Sequence, residues 1–422
     1  MSVSSSRLSL VPQVGDARLF NIGMGSLPPE LLQNYTKVSG QTAAGSIQRS
    51  RAGVLTGLFQ NGYLGAKHLW SAVTNARELF DYVLYSRQLK KDFEQKKAPY
   101  ESQRYIYNAN GRDHLPSPKT LSRQEGGQES SIKEVNQAYE YSGYTFGFFK
   151  KHLGFVLPQP MIQVVNFNNN PLFVGFGNAY FAPLKMGLQM MVYGTGDKRY
   201  FNNFTNDITV IAHELSHSYL DNIFPGKFSY AGQPGALNEH IADVIGKCVE
   251  AQYKGWSGPV GNWKFGADLM VNPNFSLRDM MNPGQAYDDP DLGKDRQVGH
   301  MKDFVVTDDD HGGVHLNSGI MSRVFALFSE SMKSPLYDLP LKVWVRAIKK
   351  SAANPSFKVF GKALIDAAEH YKVKQAMLDA LSTTGVLDYE VVGDEVKRVT
   401  PMPNEGMEIS ELIIKGIDKR VA

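Results

Sequence analysis

The stretch from Asp207 to Asn222, DITVIAHELSHSYLDN, restricts the fold more than any other part of this 422-residue chain. It contains no proline or glycine, and Asp207 is a candidate N-cap, so the stretch predicts a helix. One helical turn separates His213 from His217, which places both imidazoles on the same face. Two imidazoles at this spacing can hold one zinc ion, and Glu214 beside them is a candidate proton acceptor.

A third metal ligand is expected from the segment GALNEHIADVIG, which is also compatible with a helix and offers Glu239 and His240. A catalytic zinc ion usually has three protein ligands and one open position. Adjacent residues of a helix point about 100° apart, so only one of the two can face the metal. A structural zinc site would need a fourth protein ligand, and the sequence offers no evident one.

Together, HELSH and GALNEHIAD resemble the thermolysin-like zinc metalloproteases, or gluzincins, and the resemblance extends from about Arg104 to Leu387. It implies that Glu239 completes the zinc site with His213 and His217. It also implies that Glu214 is the general base of peptide hydrolysis. The supporting residues of the site are then Asp243, which hydrogen-bonds a ligand histidine, and Asn238.

Two further segments resemble the family's catalytic positions. Tyr230, nine residues before Glu239, matches a tyrosine that donates to the oxyanion. In the segment DHGGVHLNSG, His315 matches a second oxyanion donor and Asp310 the acid that orients it. The resemblance therefore implies a zinc endopeptidase. A protease-fold binding protein without activity is the rival interpretation, disfavoured because ligands, base and oxyanion donors are all present.

The substrate-binding residues follow from the same resemblance. Asn178 and Ala179 match an edge that binds the substrate backbone, and Arg278 matches an arginine that binds a substrate carbonyl. A pocket of apolar residues would favour cleavage on the amino side of bulky apolar residues, although ordinary core packing explains these residues equally well. The expected pocket residues are Phe201, Phe204, Val210 and Leu277.

The resemblance implies an α+β fold, with a sheet-rich N-terminal lobe, a helical C-terminal lobe and the zinc site between them. We divide the chain into an N-terminal extension (1–102), a sheet-rich lobe that includes the HELSH helix (103–222), a helical lobe (223–387) and a tail (388–422). Local patterns predict a helix over about 52–97, a helix over about 132–153, sheet and loops over 161–204, and mostly helices from 207 to about 387.

The extension resembles the short propeptide of protealysin-type precursors through the segment LPPELL, which contains Pro28 and Pro29. An exposed turn that opens a helix is the simpler alternative. No Sec-type signal is evident in the first thirty residues, so we expect synthesis in the cytoplasm, with any export following a non-classical route. A delivered effector or toxin whose extension directs export or docking is a further alternative.

Charge and cysteine content exclude several other classes. With 45 Lys+Arg against 42 Asp+Glu, no stretch concentrates basic residues, so a protein or peptide substrate is expected rather than nucleic acid. The single cysteine, Cys248, excludes an intramolecular disulfide framework. No run of residues is long and apolar enough to predict a membrane span. The sequence does not indicate an oligomeric state.

One departure from the family concerns calcium. Thermolysin-like enzymes commonly bind paired calcium ions through a cluster of carboxylates, and only Glu250 of that cluster is retained here. We therefore expect the paired calcium site to be absent, since calcium requires an oxygen-rich cage. Lys264 either pairs with Glu250 in place of the metal charge or points to solvent. The remaining positions are Thr209, Asn262, Ala267 and Phe275.

Overall fold

The computed structural model describes residues 84–85, 87–89, 91, 103–112, 116–158, 160–168, 178–182, 189–258 and 262–399, together with the backbone of residues 24–25. The described residues form a mixed sheet followed by a mainly helical region, which confirms the predicted α+β class. Among them, no helix combines the length and the apolar character needed to cross a membrane.

A six-stranded sheet forms the first lobe, and its strands occur in the order β1-β5-β6-β4-β2-β3. The central strand β4 is parallel to both of its neighbours, and its residues MIQVVNF are almost all buried, as is typical of a strand covered on both faces. The strands are β1 (Met24–Gly25), β2 (Arg104–Arg112), β3 (Leu121–Gln124), β4 (Met161–Phe167), β5 (Ala179–Ala182) and β6 (Met190–Gly194).

Helices cover both faces of this sheet. On one face lies α1 (Lys133–Phe148), which continues as a π-helical turn, Phe149–Leu153, and ends at Gly154 in the left-handed conformation. The sequence pattern predicted one helix through this region without the π turn. On the other face, Leu89 from the extension packs into a second apolar cluster, and the Tyr85 hydroxyl lies 3.1 Å from that of Tyr107. The rest of the predicted 52–97 helix lies outside the described residues.

The HELSH stretch forms α2 (Ile208–Ile223), and the GALNEHIAD stretch forms α3 (Gly232–Tyr253), as predicted. Asp207 is the N-cap of α2, and its carboxylate accepts a hydrogen bond from the Thr209 N–H at 2.7 Å. Both helices are buried nearly all round, which is typical of helices inside a large core. At Gly246 a Cβ atom would lie 2.9 Å from the Thr209 carbonyl oxygen, so glycine allows α3 to approach α2 closely.

Between Tyr253 and Asp310 the described residues form two-residue strands, turns and a 3-10 helix, so the prediction of mostly helical structure is wrong there. This region is rich in polar and glycine residues, and its backbone N–H and C=O groups form hydrogen bonds within local turns instead of a helix. From Asp310 onward the described part of the chain forms four helices and a final hairpin. The elements after α3 are β7 (Lys264–Phe265), β8 (Arg278–Asp279), β9 (Asp288–Asp289), β10 (Gly293–Lys294), the 3-10 helix Met301–Asp303, α4 (Asp310–Ser331), α5 (Leu339–Lys350), α6 (Phe357–His370), α7 (Lys374–Thr383), β11 (Tyr389–Val392) and β12 (Glu395–Arg398).

Candidate metal centre

Two imidazoles of α2 meet one carboxylate of α3 at the centre of the molecule. The Nε2 atoms of His213 and His217 lie 3.1 Å apart. The Glu239 carboxylate lies 3.3 Å from Nε2 of His213 and 3.5 Å from Nε2 of His217. The donor atoms of all three residues lie within 4.8 Å of one another, and all three side chains are buried. Two imidazole nitrogens and a carboxylate are a typical donor set for catalytic zinc.

Each histidine of this cluster is oriented through its other ring nitrogen. The Nδ1–H of His213 donates to Asp243 and that of His217 to the Asn238 side-chain oxygen, both at 2.8 Å. Asn238 is itself fixed, because its amide donates to the Phe228 carbonyl at 3.1 Å. These bonds direct both Nε2 atoms toward the common centre, so the residues present fit a zinc ion.

The charge balance of the cluster also suits a cation. Burial alone would lower the pKa of His213, but the carboxylates of Asp243 and Glu239 outweigh it and raise that pKa to about 9. Burial lowers the pKa of His217 to about 4. Burial would raise the pKa of Glu239, but the neighbouring histidines hold it well below its usual range. Without a metal, the site therefore favours one proton on the imidazole pair beside an ionised carboxylate. A bound cation would replace that proton, because a ligand imidazole must be neutral.

Arg278 contacts the cluster through Asp243, whose carboxylate lies between the Arg278 guanidinium and the His213 ring. Its Nε and Nη2 atoms donate to the Asp243 carboxylate at 2.7 and 2.6 Å, and both side chains are buried. The guanidinium also lies over the Phe265 ring, 4.5 Å from its centroid, and the His213 ring lies 5.6 Å from the same ring. The structure thus assigns Arg278 a positioning contact, while its expected contact with a substrate carbonyl stays a prediction.

Glu214 and Tyr230 lie beside the metal ligands. Glu214 is completely buried. Burial and the Glu239 carboxylate raise the pKa of Tyr230 well above its ordinary value, and the negative charge of Glu214 adds to the shift. The Tyr230 hydroxyl donates to the Glu239 carboxylate at 2.5 Å and lies 3.4 Å from Nε2 of His315. The two residues expected as oxyanion donors therefore lie together at the edge of the cluster.

A left-handed turn brings His315 to this edge. Four consecutive residues, Asp310 to Gly313, have φ angles between 52° and 88°, a region that glycine adopts without strain. The turn directs the Asp310 carboxylate back onto His315, where it accepts from Nδ1 at 2.6 Å and from the backbone N–H at 2.8 Å. Burial would lower the pKa of His315, but Asp310 and Glu239 raise it to about 10, so Nε2 carries a hydrogen to donate.

His240, the alternative third ligand, points away from the metal centre, as the family resemblance implied. Its Nε2 accepts a hydrogen bond from the Trp344 indole N–H at 2.8 Å, and its Nδ1 lies 3.2 Å from the Ser322 hydroxyl. Both ring nitrogens are therefore occupied by neutral groups, and burial lowers its pKa to about 3. Glu239 is the residue of this pair that joins the cluster.

The expected substrate-binding residues occupy two places. Asn178 is buried just before β5, where its side-chain oxygen accepts from the Ala179 N–H at 2.9 Å, and Ala179 pairs with Tyr193 of β6. The four apolar residues are fully buried members of the main core, so their role as a pocket remains a prediction. They are Phe201, Phe204, Val210 and Leu277.

Of the two alternatives for Lys264, its pairing with Glu250 is wrong. The Lys264 ammonium instead donates to the Asn274 carbonyl at 2.6 Å. Glu250 pairs with Lys247 and Lys254 of its own helix, each at 2.7 Å, and Lys247 is completely buried. The spacing of these lysines, three residues before and four after the glutamate, was the sequence signal for both pairs.

Two family models match the chain: the catalytic domain of thermolysin metallopeptidases over residues 90–221, and their alpha-helical domain over residues 226–386. An extracellular metalloprotease from Pectobacterium carotovorum subsp. carotovorum is 33% identical over 304 residues, which cover 71% of this chain and 83% of that protein. Protease PrtS from Photorhabdus sp. (strain Az29) is 34% identical over 296 residues, 67% of this chain and 76% of its own length. Among solved structures, the precursor of protealysin, a metalloproteinase from Serratia proteamaculans, matches with a TM-score of 0.61 and 32% identity over 68% of this chain and 88% of that one.

Proposed function

Because this chain belongs to the thermolysin metallopeptidase family and is thus a zinc-dependent metalloendopeptidase, we propose roles for the residues of its metal centre. His213, His217 and Glu239 hold one zinc ion, and their convergence on a common centre is the observation that carries this assignment. A zinc ion in such a site supplies Lewis acidity, which polarises a carbonyl and makes water acidic near neutral pH.

Glu214 acts as the general base in this proposal. Its carboxylate accepts a proton from the attacking water and then donates it to the leaving amine. Its position supports the role, because it follows ligand His213 directly and is completely buried beside the cluster. Burial excludes competing solvent from the carboxylate. Glu214 is not one of the three metal ligands, so its carboxylate stays available for proton transfer.

Tyr230 and His315 stabilise the negative charge that develops on the carbonyl oxygen. Preorganised donors directed at such an oxygen typically contribute about 10² to 10³-fold each in rate. The support is geometric: both donors lie at the same edge of the cluster, and Asp310 orients His315 from behind.

Two variants separate metal binding from catalysis. Glu214→Ala should keep stoichiometric zinc and lose about 10² to 10⁴-fold or more in peptide cleavage, since it removes the base and no ligand. Glu239→Ala should lose zinc, which elemental analysis of the dialysed protein measures. Normal cleavage of a quenched peptide by Glu214→Ala would refute the assigned role.

For specificity, we propose cleavage on the amino side of bulky apolar residues. The support is that all four expected pocket residues, Phe201, Phe204, Val210 and Leu277, belong to the main apolar core, that the Phe201 and Phe204 rings lie 5.9 Å apart, and that Val210 lies on α2. Burial of a substrate Leu or Phe side chain there would contribute about 1.5 to 3 kcal/mol. Mass spectrometry of a digested protein mixture gives the sequence around each cleavage site, and a preference for charged residues at that position would contradict the proposal.

The N-terminal extension, residues 1–102, is proposed to be an inhibitory propeptide. Its strand β1 pairs antiparallel with β5, with Met24 opposite Phe181 and Gly25 opposite Tyr180. An extended peptide substrate would use this same edge if Asn178 and Ala179 bind the substrate backbone. The extension therefore competes with the substrate for backbone hydrogen bonds.

This inhibition is testable in the full-length chain. Gly25→Pro removes a backbone donor and should weaken the pairing of β1 with β5, so peptide cleavage should rise. Gly25→Ala keeps the N–H and serves as the matched control. Equal activities in the two variants and the wild type would favour the rival role, in which the extension directs export or docking.

We also propose that the paired calcium site of the family is absent. The support is that the Glu250 carboxylate, the one retained acid, already pairs with two ammonium groups, Lys247 and Lys254. Millimolar calcium should then leave the melting temperature unchanged, and a calcium-selective chelator should leave activity unchanged. A large calcium-dependent rise in melting temperature that Glu250→Ala abolishes would contradict this.

Finally, we propose that the enzyme acts on proteins outside the cell. The support is the similarity to an extracellular metalloprotease. Immunodetection in cell-free culture supernatant, with a cytoplasmic protein as the lysis control, tests this location. Retention of the whole protein within cells would contradict it.

A further inference from the structure

A basic groove lies on the helical lobe, where α5 faces the π-helical turn that follows α1. It has a volume of about 310 Å³, and half of its ten lining side chains are cationic. Lys151 comes from the π turn, and the others come from one side of α5. These four are Lys342, Arg346, Lys349 and Lys350. The lining contains no carboxylate.

Ordinary features of the fold explain only part of this charge. Lysines in the last turn of α5 stabilise the helix dipole, and Lys342 pairs with the exposed Asp338 at 2.5 Å. Neither feature explains Lys151 or the half-buried Arg346, which have no carboxylate partner among the described residues. The fold therefore brings like charges from distant parts of the sequence to one concave surface.

Such a convergence is unfavourable unless an anion is present, because like charges repel and a concave wall concentrates their field. Neutral donors line the same groove. The side chains of Tyr337 and Tyr371 are half-buried in its wall, and the His152 ring lies 5.9 Å from that of Tyr337. Arginine and lysine bind phosphate oxygens through charge-assisted hydrogen bonds, and a tyrosine hydroxyl can donate to them as well.

We propose that this groove binds a small anion that carries two or more phosphate groups. The five cationic side chains match several negative charges, and the groove can enclose a ligand of oligophosphate size. Its residues are distinct from those of the metal centre, so binding does not depend on the roles proposed for Glu214 or the zinc ligands. The source is either a free oligophosphate or clustered lipid headgroups.

Isothermal titration of the zinc-loaded full-length chain with inorganic tripolyphosphate tests the free source. We expect one binding event that weakens at least tenfold in Arg346→Gln/Lys349→Gln, equivalent to about 1.4 kcal/mol. The matched control, Lys333→Gln/Lys362→Gln, removes two exposed cations outside the groove. Because both double variants keep the metal ligands, any chelation of zinc by the probe is common to them.

Cosedimentation with vesicles tests the lipid source, with 25% phosphatidylglycerol in phosphatidylcholine against phosphatidylcholine alone. Loss of either interaction in the groove variant, but not in the control, supports the site and identifies its source. Thermal melting confirms that both variants are folded, and the single variant Lys349→Glu, at an exposed position, gives a second measurement. The proposal is overturned if neither probe binds, or if the groove and control variants bind equally.

Discussion

Replacement of Asp243 by asparagine tests how the metal centre is held together. The Asp243 carboxylate accepts three hydrogen bonds, one from His213 Nδ1 and two from Arg278, at 2.6 to 2.8 Å. Asparagine has the same shape, but its NH₂ group would face a donor of His213 or Arg278. The variant therefore leaves a buried guanidinium without its counter-charge.

The magnitude follows from burial. Arg278 and Asp243 expose only 2% and 1% of their side chains, so solvent cannot replace the lost partner. Removing one member of a buried ion pair costs about 3 to 5 kcal/mol, a large part of the 5 to 15 kcal/mol of a typical domain. Zinc affinity should also fall about 10 to 100-fold, because His213 loses the group that orients it.

Guanidinium unfolding of the metal-free protein, followed by circular dichroism, measures the first effect without a contribution from zinc. Competition with a chromophoric chelator measures the second. Asp366→Asn, at an exposed position of α6, is the control and should change the free energy of unfolding by less than about 0.5 kcal/mol. If Asp243→Asn unfolds within about 1 kcal/mol of the wild type, the buried ion pair does not stabilise the site as argued.

Three further predictions concern parts of the fold that support this site. Gly313→Ala should lower the free energy of unfolding by more than about 1 to 2 kcal/mol, because φ there is +73°, and an unchanged melting temperature would contradict the strain. Trp344→Phe removes the donor to the buried His240 and should cost about 1 to 3 kcal/mol in guanidinium unfolding. Burial would raise the pKa of Glu125, but Arg104 holds that pKa below its ordinary value of 4.5. The ion pair therefore stabilises the fold above pH 4.5 and loses its contribution as the pH falls through the folded-state pKa. Glu125→Gln should therefore lower the melting temperature at pH 7, by an amount equivalent to about 1 kcal/mol, and the difference should shrink at acid pH.

The sequence predicted those parts of the site that depend on local spacing. His213 and His217 share a face because one helical turn separates them, and Asp207 caps their helix because its short side chain accepts from the Thr209 N–H. Helical geometry showed only that one of Glu239 and His240 can face the metal, since adjacent residues diverge, and the family resemblance chose Glu239. Local periodicity predicted the order of strand-like and helix-like segments, and the family resemblance gave the two-lobe fold class.

Contacts between charged side chains that are distant in the sequence were not predictable in the same way. Helical spacing indicated Lys247 as a partner of Glu250, but that the Lys264 ammonium donates to the Asn274 carbonyl instead depends on tertiary packing. Lys151 and Arg346 are separated by nearly two hundred residues, so the basic groove left no charge run in the sequence. Such contacts depend on tertiary distances, which composition and periodicity do not encode.

The pairing of β1 with β5 also affects solubility. A strand at the edge of a sheet presents unpaired N–H and C=O groups, which act as a template for strands of other molecules. Among the described residues, β1 covers that edge with only two residues, Met24 and Gly25. Release of the extension would expose β5 to a second copy of the same chain as well as to peptides. If the extension is removed as proposed, the shortened chain should self-associate at concentrations at which the full-length chain stays dispersed.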